Sequence, residues 1–195
     1  DAGATEASVQ VHNGVFLFEH NGEDFTGEHF ASLCRFGYSN KKTLHTIGFR
    51  GIGFKSTFSL GDCVEICTPT LSVAFHRHRF TEPVWVPDNI RADGNTSIRV
   101  AIRDEHRQGD VRKNLDEWLT SPLSLLFFRH IRRLKIDEHV VHWLSSGPGP
   151  VPASEWVALA GEETEAVLVV RSAAEPFPED ALVEIQQARM LRTEE

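Results

Sequence analysis

Three glycines, Gly48, Gly51 and Gly53, punctuate Ile47-Gly48-Phe49-Arg50-Gly51-Ile52-Gly53-Phe54-Lys55-Ser56. They stand directly before Phe54 to Leu60, in which Phe54 and Phe58 are one helical turn apart. Glycine lets the backbone turn tightly and approach a ligand, because no Cβ intervenes. If the following run is a helix, its first amides have no internal partner and carry the positive end of the dipole, which suits an anion. Lys55 and Ser56 add a cation and a hydroxyl on that first turn. The spacing alone fits a phosphate-like anion, and it also fits a tight loop with no ligand. It is not the dinucleotide fingerprint, since no strand ends directly before it and no ribose-binding acid follows about 20 residues on. Nor is it the Gly-x-x-x-x-Gly-Lys-Ser phosphate loop.

Charge sharpens this. The chain of 195 residues has a net charge of −8, unevenly spread. From His29 to Leu60 there is no acidic residue, while Arg35, Lys41, Lys42, Arg50 and Lys55 supply five positive charges. From Val151 to Glu195 ten acids face three arginines, a net −7. A local cationic stretch rich in glycine points to an anionic small ligand. Nucleic acid is not indicated, because it asks for a broad basic face.

The elements that must position this loop can be read along the chain. Ser8–His12 and Val15–Glu19 are β-rich runs joined by Asn13-Gly14, which supplies both positive φ angles of a type I′ turn, so a hairpin is expected. Asn21 to Asp24 is a loop. Thr26 caps a short helix with Phe30, Leu33 and Cys34 on one face, ended by Gly37. Tyr38 to Gly53 has little periodicity and reads as an ordered functional loop; Phe54 to Leu60 is a short helix. Strands are expected at Val64–Thr68, Val73–His78 and Thr96–Arg103, an amphipathic helix at Asp110–Leu119, and a second helix start at Ser121–Phe128 with Pro122 in its first turn. Strands at Arg133–Asp137, Val140–Leu144, Trp156–Ala160 and Ala166–Arg171 follow, and Pro176–Arg189 closes the chain as a helix. Ser145 to Pro152, with three prolines and two glycines, is the best internal boundary.

With 41% hydrophobic and 25% charged residues, the composition is that of a globular domain able to bury about 70% of its unfolded surface. No apolar run reaches the length of a membrane span. Cys63 and Cys67 share a strand, which holds them about 13 Å apart at 3.3 Å per residue, too far for a bridge. Cys34, Cys63 and Cys67 therefore imply a reducing compartment, the cytoplasm. His76 and His78 share a strand face but lack a nearby third ligand, so a solvated face is expected rather than a metal site. Asp104 and Glu105 point apart and carry no catalytic role. Leu123 to Phe128 reads as core, and the four tryptophans as core or rim packing.

Several motifs together resemble the Bergerat-fold ATPases of the gyrase, heat-shock-chaperone and histidine-kinase superfamily, most of all their sacsin-like members. Asp1-Ala2-Gly3-Ala4-Thr5-Glu6 is similar to the end of Glu-Leu-x-Gln-Asn-Ala-Asp-Asp-Ala-Gly-Ala-Thr-Glu. His20-Asn21-Gly22 falls where the family has Asp-x-Gly. Gly37-Tyr38-Ser39-Asn40-Lys41 is similar to the Gly-x-Ser-x-Lys that opens the ATP lid. Ile47 to Ser56 is similar to Ile-Gly-Gln-Phe-Gly-Val-Gly-Phe-x-Ser, and Asn95-Thr96 stands where the family has Gly-Thr. The resemblance covers residues 1 to about 145.

It implies an α+β fold, a two-layer α/β sandwich with a mixed β-sheet and helices on one face. Residues 1–145 would form an ATP-binding domain lacking its first helix, and 146–195 an extension of unknown role. Backbone amides of Gly51, Ile52, Gly53 and Phe54 would hold phosphates, with Gly48, Arg50 and Lys55 in the same box. Ser39, Lys41 and Lys42 would approach from the lid. His20, Asn21 and Gly22 would face the base, and Thr96 would sit near adenine. His20 replaces the family's adenine-reading Asp, so a neutral imidazole nitrogen would have to accept from the adenine amino group in place of a carboxylate. The family's catalytic Glu and Mg-binding Asn fall seven and three residues before the position of Asp1, so no catalytic residue is named here and binding without turnover is expected. The expected ligands are ATP or ADP with Mg, and the expected partners other domains of a larger chaperone-like or defence-related chain, or a protein client. Two rivals remain: a degenerate module serving as an interaction domain, and a kinase that phosphorylates histidine.

Overall fold

The computed structural model describes residues 2–37, 52–86, 93–161, 164–173, 176 and 178–190. Ser39, Lys41, Lys42, Gly48, Arg50 and Gly51 lie outside the described residues. The described residues form a mixed α/β domain around one ten-stranded sheet. Its strands are β1 (Glu6–His12), β2 (Val15–His20), β3 (Cys63–Cys67), β4 (Ser72–His76), β5 (Arg79–Trp85), β6 (Thr96–Ala101), β7 (Arg133–Ile136), β8 (His139–Pro148), β9 (Ser154–Ala160) and β10 (Thr164–Val170). They lie in the order β10-β9-β8-β7-β1-β2-β6-β3-β4-β5. Every pairing is antiparallel except β1 with β7, which is parallel.

The β1–β2 hairpin turns as the sequence reading expects, with positive φ at Asn13 (49°) and Gly14 (73°). Its register aligns Ala7, Val9 and Val11 with His20, Phe18 and Phe16. The pairing of β2 with β6 then aligns Phe16, Phe18 and His20 with Val100, Ile98 and Thr96. Because side chains alternate with period two, all of these share one face. Val64, Ile66, Val73 and Phe75 continue that face on one side, and Leu134, Ile136, Val141, Leu159 and Val157 on the other. The opposite face carries Glu65 paired with Arg99 and Glu6 paired with Arg133, each at 3.2 Å.

Two apolar clusters grow from the shared face. One gathers Val64, Ile66, Val73, Phe75 and Val100 beneath Phe30, Leu33 and Cys34 of helix α1 (Gly27–Leu33) and its cap, and beneath Phe54 and Phe58 of a 3-10 helix, Phe54–Ser59. The other gathers Leu134, Ile136, Val141, Val157 and Leu159 beneath Leu115 and Leu119 of helix α2 (Glu105–Thr120) and Leu125 of a second 3-10 helix, Pro122–Phe127. Helix α3 spans Glu179–Met190.

Several elements differ from expectation for identifiable reasons. Helix α2 starts earlier, because the Asp104 carboxylate accepts from Arg107 N at 2.8 Å and caps it. Strand β5 was not anticipated; Pro83 falls within it, tolerated because β5 is the sheet's last strand. Strand β8 runs through Ser145 to Pro148, with an irregularity at Ser145/Gly147 and a φ of 121° at Gly147, so the sheet continues past position 145. The run Leu123 to Phe128 is not all core. At three residues per turn Leu125 and Phe128 turn inward while Phe127 stays 83% exposed. None of Cys34, Cys63 and Cys67 is in a disulfide.

Gly61 joins the 3-10 helix Phe54–Ser59 to β3 where the chain runs against the end of β6. A Cβ there would run into Ala101 O and lie 2.8 Å from Val100 Cγ1, both part of a central strand. Gly61→Ala is therefore expected to lower stability by about 1–3 kcal/mol, as overpacking does, read as a fall in the urea midpoint.

Candidate functional site

The candidate site lies where β2 ends, β6 begins and the segment before β1 is hydrogen-bonded to the loop after β2. Asn21 fastens that segment. Its Oδ1 accepts from Thr5 N at 2.9 Å and Glu6 N at 3.0 Å, and its Nδ2 donates to Thr5 Oγ1 at 2.9 Å. Asn21 N donates to Glu6 O and Glu23 N to Ala2 O, at 3.3 and 2.8 Å. Asn21, expected to face a ligand, thus spends its amide on the Ala2–Glu6 segment. Gly22 is required by closeness, since a Cβ there would lie 2.7 Å from Ala2 O and 3.1 Å from His20 Nδ1.

His20 is half-buried and sits at 5.7 Å, ring to ring, from Phe18. Burial disfavours the imidazolium and holds its pKa below the usual value of 6.5. Gly22 N donates to His20 Nδ1 at 3.1 Å. A neutral imidazole has one bare nitrogen and one N–H. With Nδ1 accepting, the proton of the neutral ring is on Nε2.

Thr96 is the cross-strand partner of His20. It is 1% exposed, and its Oγ1 has no protein hydrogen-bond partner. Buried hydroxyls are nearly always paired, so this one is an exception, as are Arg107 Nε and Trp143 Nε1 among the described side chains. The neighbouring Ser97 has found one, its Oγ donating to Cys67 O at 3.5 Å. Two residues distant in the chain, each tied by resemblance to base recognition, thus stand side by side.

Asp24 was not anticipated as part of this region. Its Oδ2 accepts from Thr70 Oγ1 at 2.7 Å and its Oδ1 from Phe25 N at 2.7 Å. Burial raises its pKa, but hydrogen bonds from Thr68, Thr70 and the Phe25 amide outweigh that and hold it below the ordinary carboxylate value. Asp24 thereby ties the loop after β2 to the β3–β4 turn. No local signal marks it, because Thr70 is 46 residues away.

Of the glycine box, Ile52 to Ser56 is described. Gly53 has φ −56° and ψ −49°, a conformation open to any residue, and a Cβ on it would meet none of the described residues within 4 Å. Ser56 Oγ turns back to Gly53 O at 2.6 Å. Lys55 turns inward. Its ammonium donates to Leu33 O at 2.6 Å and to Phe80 O, and lies 4.9, 5.0 and 5.5 Å from the ring centres of Phe54, Phe75 and Phe80. Three aromatic faces and two carbonyls suit a cation, yet burial lowers its pKa from 10.5 to about 8. Lys55, expected beside a phosphate, is a strut between α1, β5 and the 3-10 helix. His76 and His78 stack at 5.8 Å, His78 lying in the turn beyond β4. Among the described residues no group of three His, Cys, Asp or Glu side chains gathers to hold a metal.

The depressed pKa of Lys55 has a thermodynamic consequence. The unfolded chain keeps this proton up to about 10.5, while the folded chain releases it near 8. The unfolded state thus binds more protons in that window, so stability should rise as pH climbs from about 8 to about 10.5. Urea midpoints across this range should show the rise in the wild type and lose it in Lys55→Met.

No family model matches the chain, and no curated protein matches it. Its residues and their placement carry the functional reading.

Proposed function

We propose that the chain is a nucleotide-binding module of the gyrase, heat-shock-chaperone and histidine-kinase type. Its phosphates would be held by the glycine box and its base by the end of β2 and the start of β6. One observation carries this reading: the buried, unpartnered hydroxyl of Thr96 lies directly across from His20. Of this pair, the half-buried His20 is the member that a base could reach, since the Thr96 hydroxyl is closed to solvent.

Two further observations support it. Gly53 is demanded neither by its backbone angles nor by packing. Among the described residues, the glycine leaves the start of the 3-10 helix uncovered, where a phosphate could approach amides. The second is the shared face of the sheet, which gathers the apolar residues that α1, α2 and both 3-10 helices cover. This is the arrangement expected of a two-layer sandwich of the Bergerat type. ATP or ADP with Mg is the ligand the resemblance implies. The described residues offer no group of acids or histidines for Mg, so no metal ligand is assigned among them and no hydrolytic step is drawn.

In this reading the module serves as a nucleotide-driven lid switch within a chaperone-like or defence-related protein, acting on neighbouring domains or a client. Three cysteines outside any disulfide suit the cytoplasm. Among the described residues no helix is long and apolar enough to cross a membrane. Lys55 favours a second reading, a degenerate module that serves as an interaction domain, because its ammonium is committed to Leu33 O and Phe80 O rather than offered to a phosphate.

Calorimetry with Mg and ADP, IDP or GDP decides between them. Binding of any one supports the nucleotide reading, and heat from none of them leaves the interaction domain. Gly53→Glu should weaken binding more than about tenfold, by setting a carboxylate against the phosphates. Thermal melting should be unchanged, since the added side chain meets none of the described residues.

A further inference from the structure

We propose that β10 is an open sheet edge through which two copies of this chain associate, β10 pairing antiparallel with β10 of the second copy about a two-fold axis at Leu168. The proposal stands independently of the nucleotide reading.

The two edges of the sheet differ. At one end β5 contains Pro83, which has no N–H to donate, and its pairing with β4 is irregular between Ala74 and His76. It also carries the ion pair of Arg79 with Glu82. These are the devices by which a sheet edge avoids pairing with another chain. At the other end β10 reads Thr-Glu-Ala-Val-Leu-Val-Val, with no proline, no glycine and one charge. It runs in unbroken register along β9. Val167 and Val169 pack toward the core, so Ala166, Leu168 and Val170 lie on the outer face of the sheet. There Leu168 is 36% and Val170 59% exposed, and Trp156, the cross-strand partner of Leu168, is exposed beside them.

The backbone of β10 is set for a further strand. Arg171 N donates to Ala153 O at 2.9 Å, continuing the ladder with β9. Bonding direction alternates along an antiparallel strand, so the N–H and C=O groups of Ala166, Leu168 and Val170 point away from β9. Among the described residues no backbone group pairs with them. A second copy complements this edge best about one residue. With the axis at Leu168, Leu168 faces its own counterpart, Ala166 faces Val170 of the second copy, and Val167 faces Val169 of the second copy. Glu165, the one charge of β10, then faces Arg171 of the second copy on the same side of the sheet. Moving the axis to Val167 would set Glu165 against Val169, and moving it to Val169 would set Glu165 against Ala173. Arg171 already bonds Glu155 at 2.5 Å, but a guanidinium has five donors and can serve both carboxylates. On the outer face Trp156 and Leu168 of each copy would form one continuous apolar row, removing exposed surface from water. The pairing uses the open edge of both copies, so assembly closes at two.

Analytical ultracentrifugation of the 195-residue chain should show a reversible monomer–dimer equilibrium and no larger species. Leu168→Lys sets like charges against each other at the axis and should raise the dimer dissociation constant more than about tenfold. Glu165→Arg turns both Glu165–Arg171 contacts into like-charge pairs and should raise it about tenfold. Val84→Lys, at an exposed position on the opposite edge strand, should leave it unchanged. All three side chains are exposed, so melting temperatures should stay at the wild-type value; if Leu168→Lys melts early, Glu165→Arg decides. A chain that stays monomeric up to its solubility limit overturns the proposal, as do oligomers beyond two. So does a dimer that either β10 variant leaves at wild-type affinity, or one that Val84→Lys weakens as much as they do.

Discussion

The pairing of β2 with β6 holds the centre of the ten-stranded sheet. Phe16, Phe18 and His20 of β2 lie opposite Val100, Ile98 and Thr96 of β6. A slip of one residue would turn every one of these side chains to the other face. It would bring Phe16 and Phe18 among Glu65, Arg99 and Arg133, and carry Glu19 into the core. Burial of the aromatic and branched side chains beneath α1 and α2 therefore enforces the register. The same register sets His20 against Thr96. The site is in this sense a by-product of core packing: the last pair in a ladder of apolar pairs is polar.

Around that pair, side chains of the right type are committed to different tasks than their type suggests. Asn21 has the polar groups to touch a ligand, yet it satisfies the amides of Thr5 and Glu6. Lys55 has the charge to meet a phosphate, yet it crosses into a cage of three phenylalanines and two carbonyls, where burial brings its pKa down to about 8. His20 has two nitrogens, one of which is taken by Gly22. In each case a neighbouring backbone group decides what the side chain still has to offer, because an unpaired buried amide or carbonyl is costly.

Much of the architecture was legible in the residues. Asn13-Gly14 supplies two positive φ angles that few other pairs adopt, so the first hairpin could be drawn directly. Thr26 with its side-chain oxygen announced α1. The strands expected at Val64–Thr68, Val73–His78 and Thr96–Arg103 lie within two residues of β3, β4 and β6. The misses are equally physical. Pro83 argues against a strand unless the strand lies at the sheet edge, and edge position is a tertiary fact. Ser145 to Pro148 has loop composition, but its partners Trp156 and Glu155 keep it in the sheet.

By itself, then, the sequence determined the elements whose signals are local: turn residues, caps, apolar periods and the glycine spacing that resembles a phosphate box. These depend on φ preferences and on side chains a few residues apart, which any stretch of chain carries with it. The tertiary structure decided what no local signal encodes. It set His20 opposite Thr96, left one buried hydroxyl without a partner, turned Lys55 inward and bound Asp24 to Thr70. Each of these joins residues distant in the chain. Their hydrogen-bonding capacity is shared out only once the strands are in register and the core has closed.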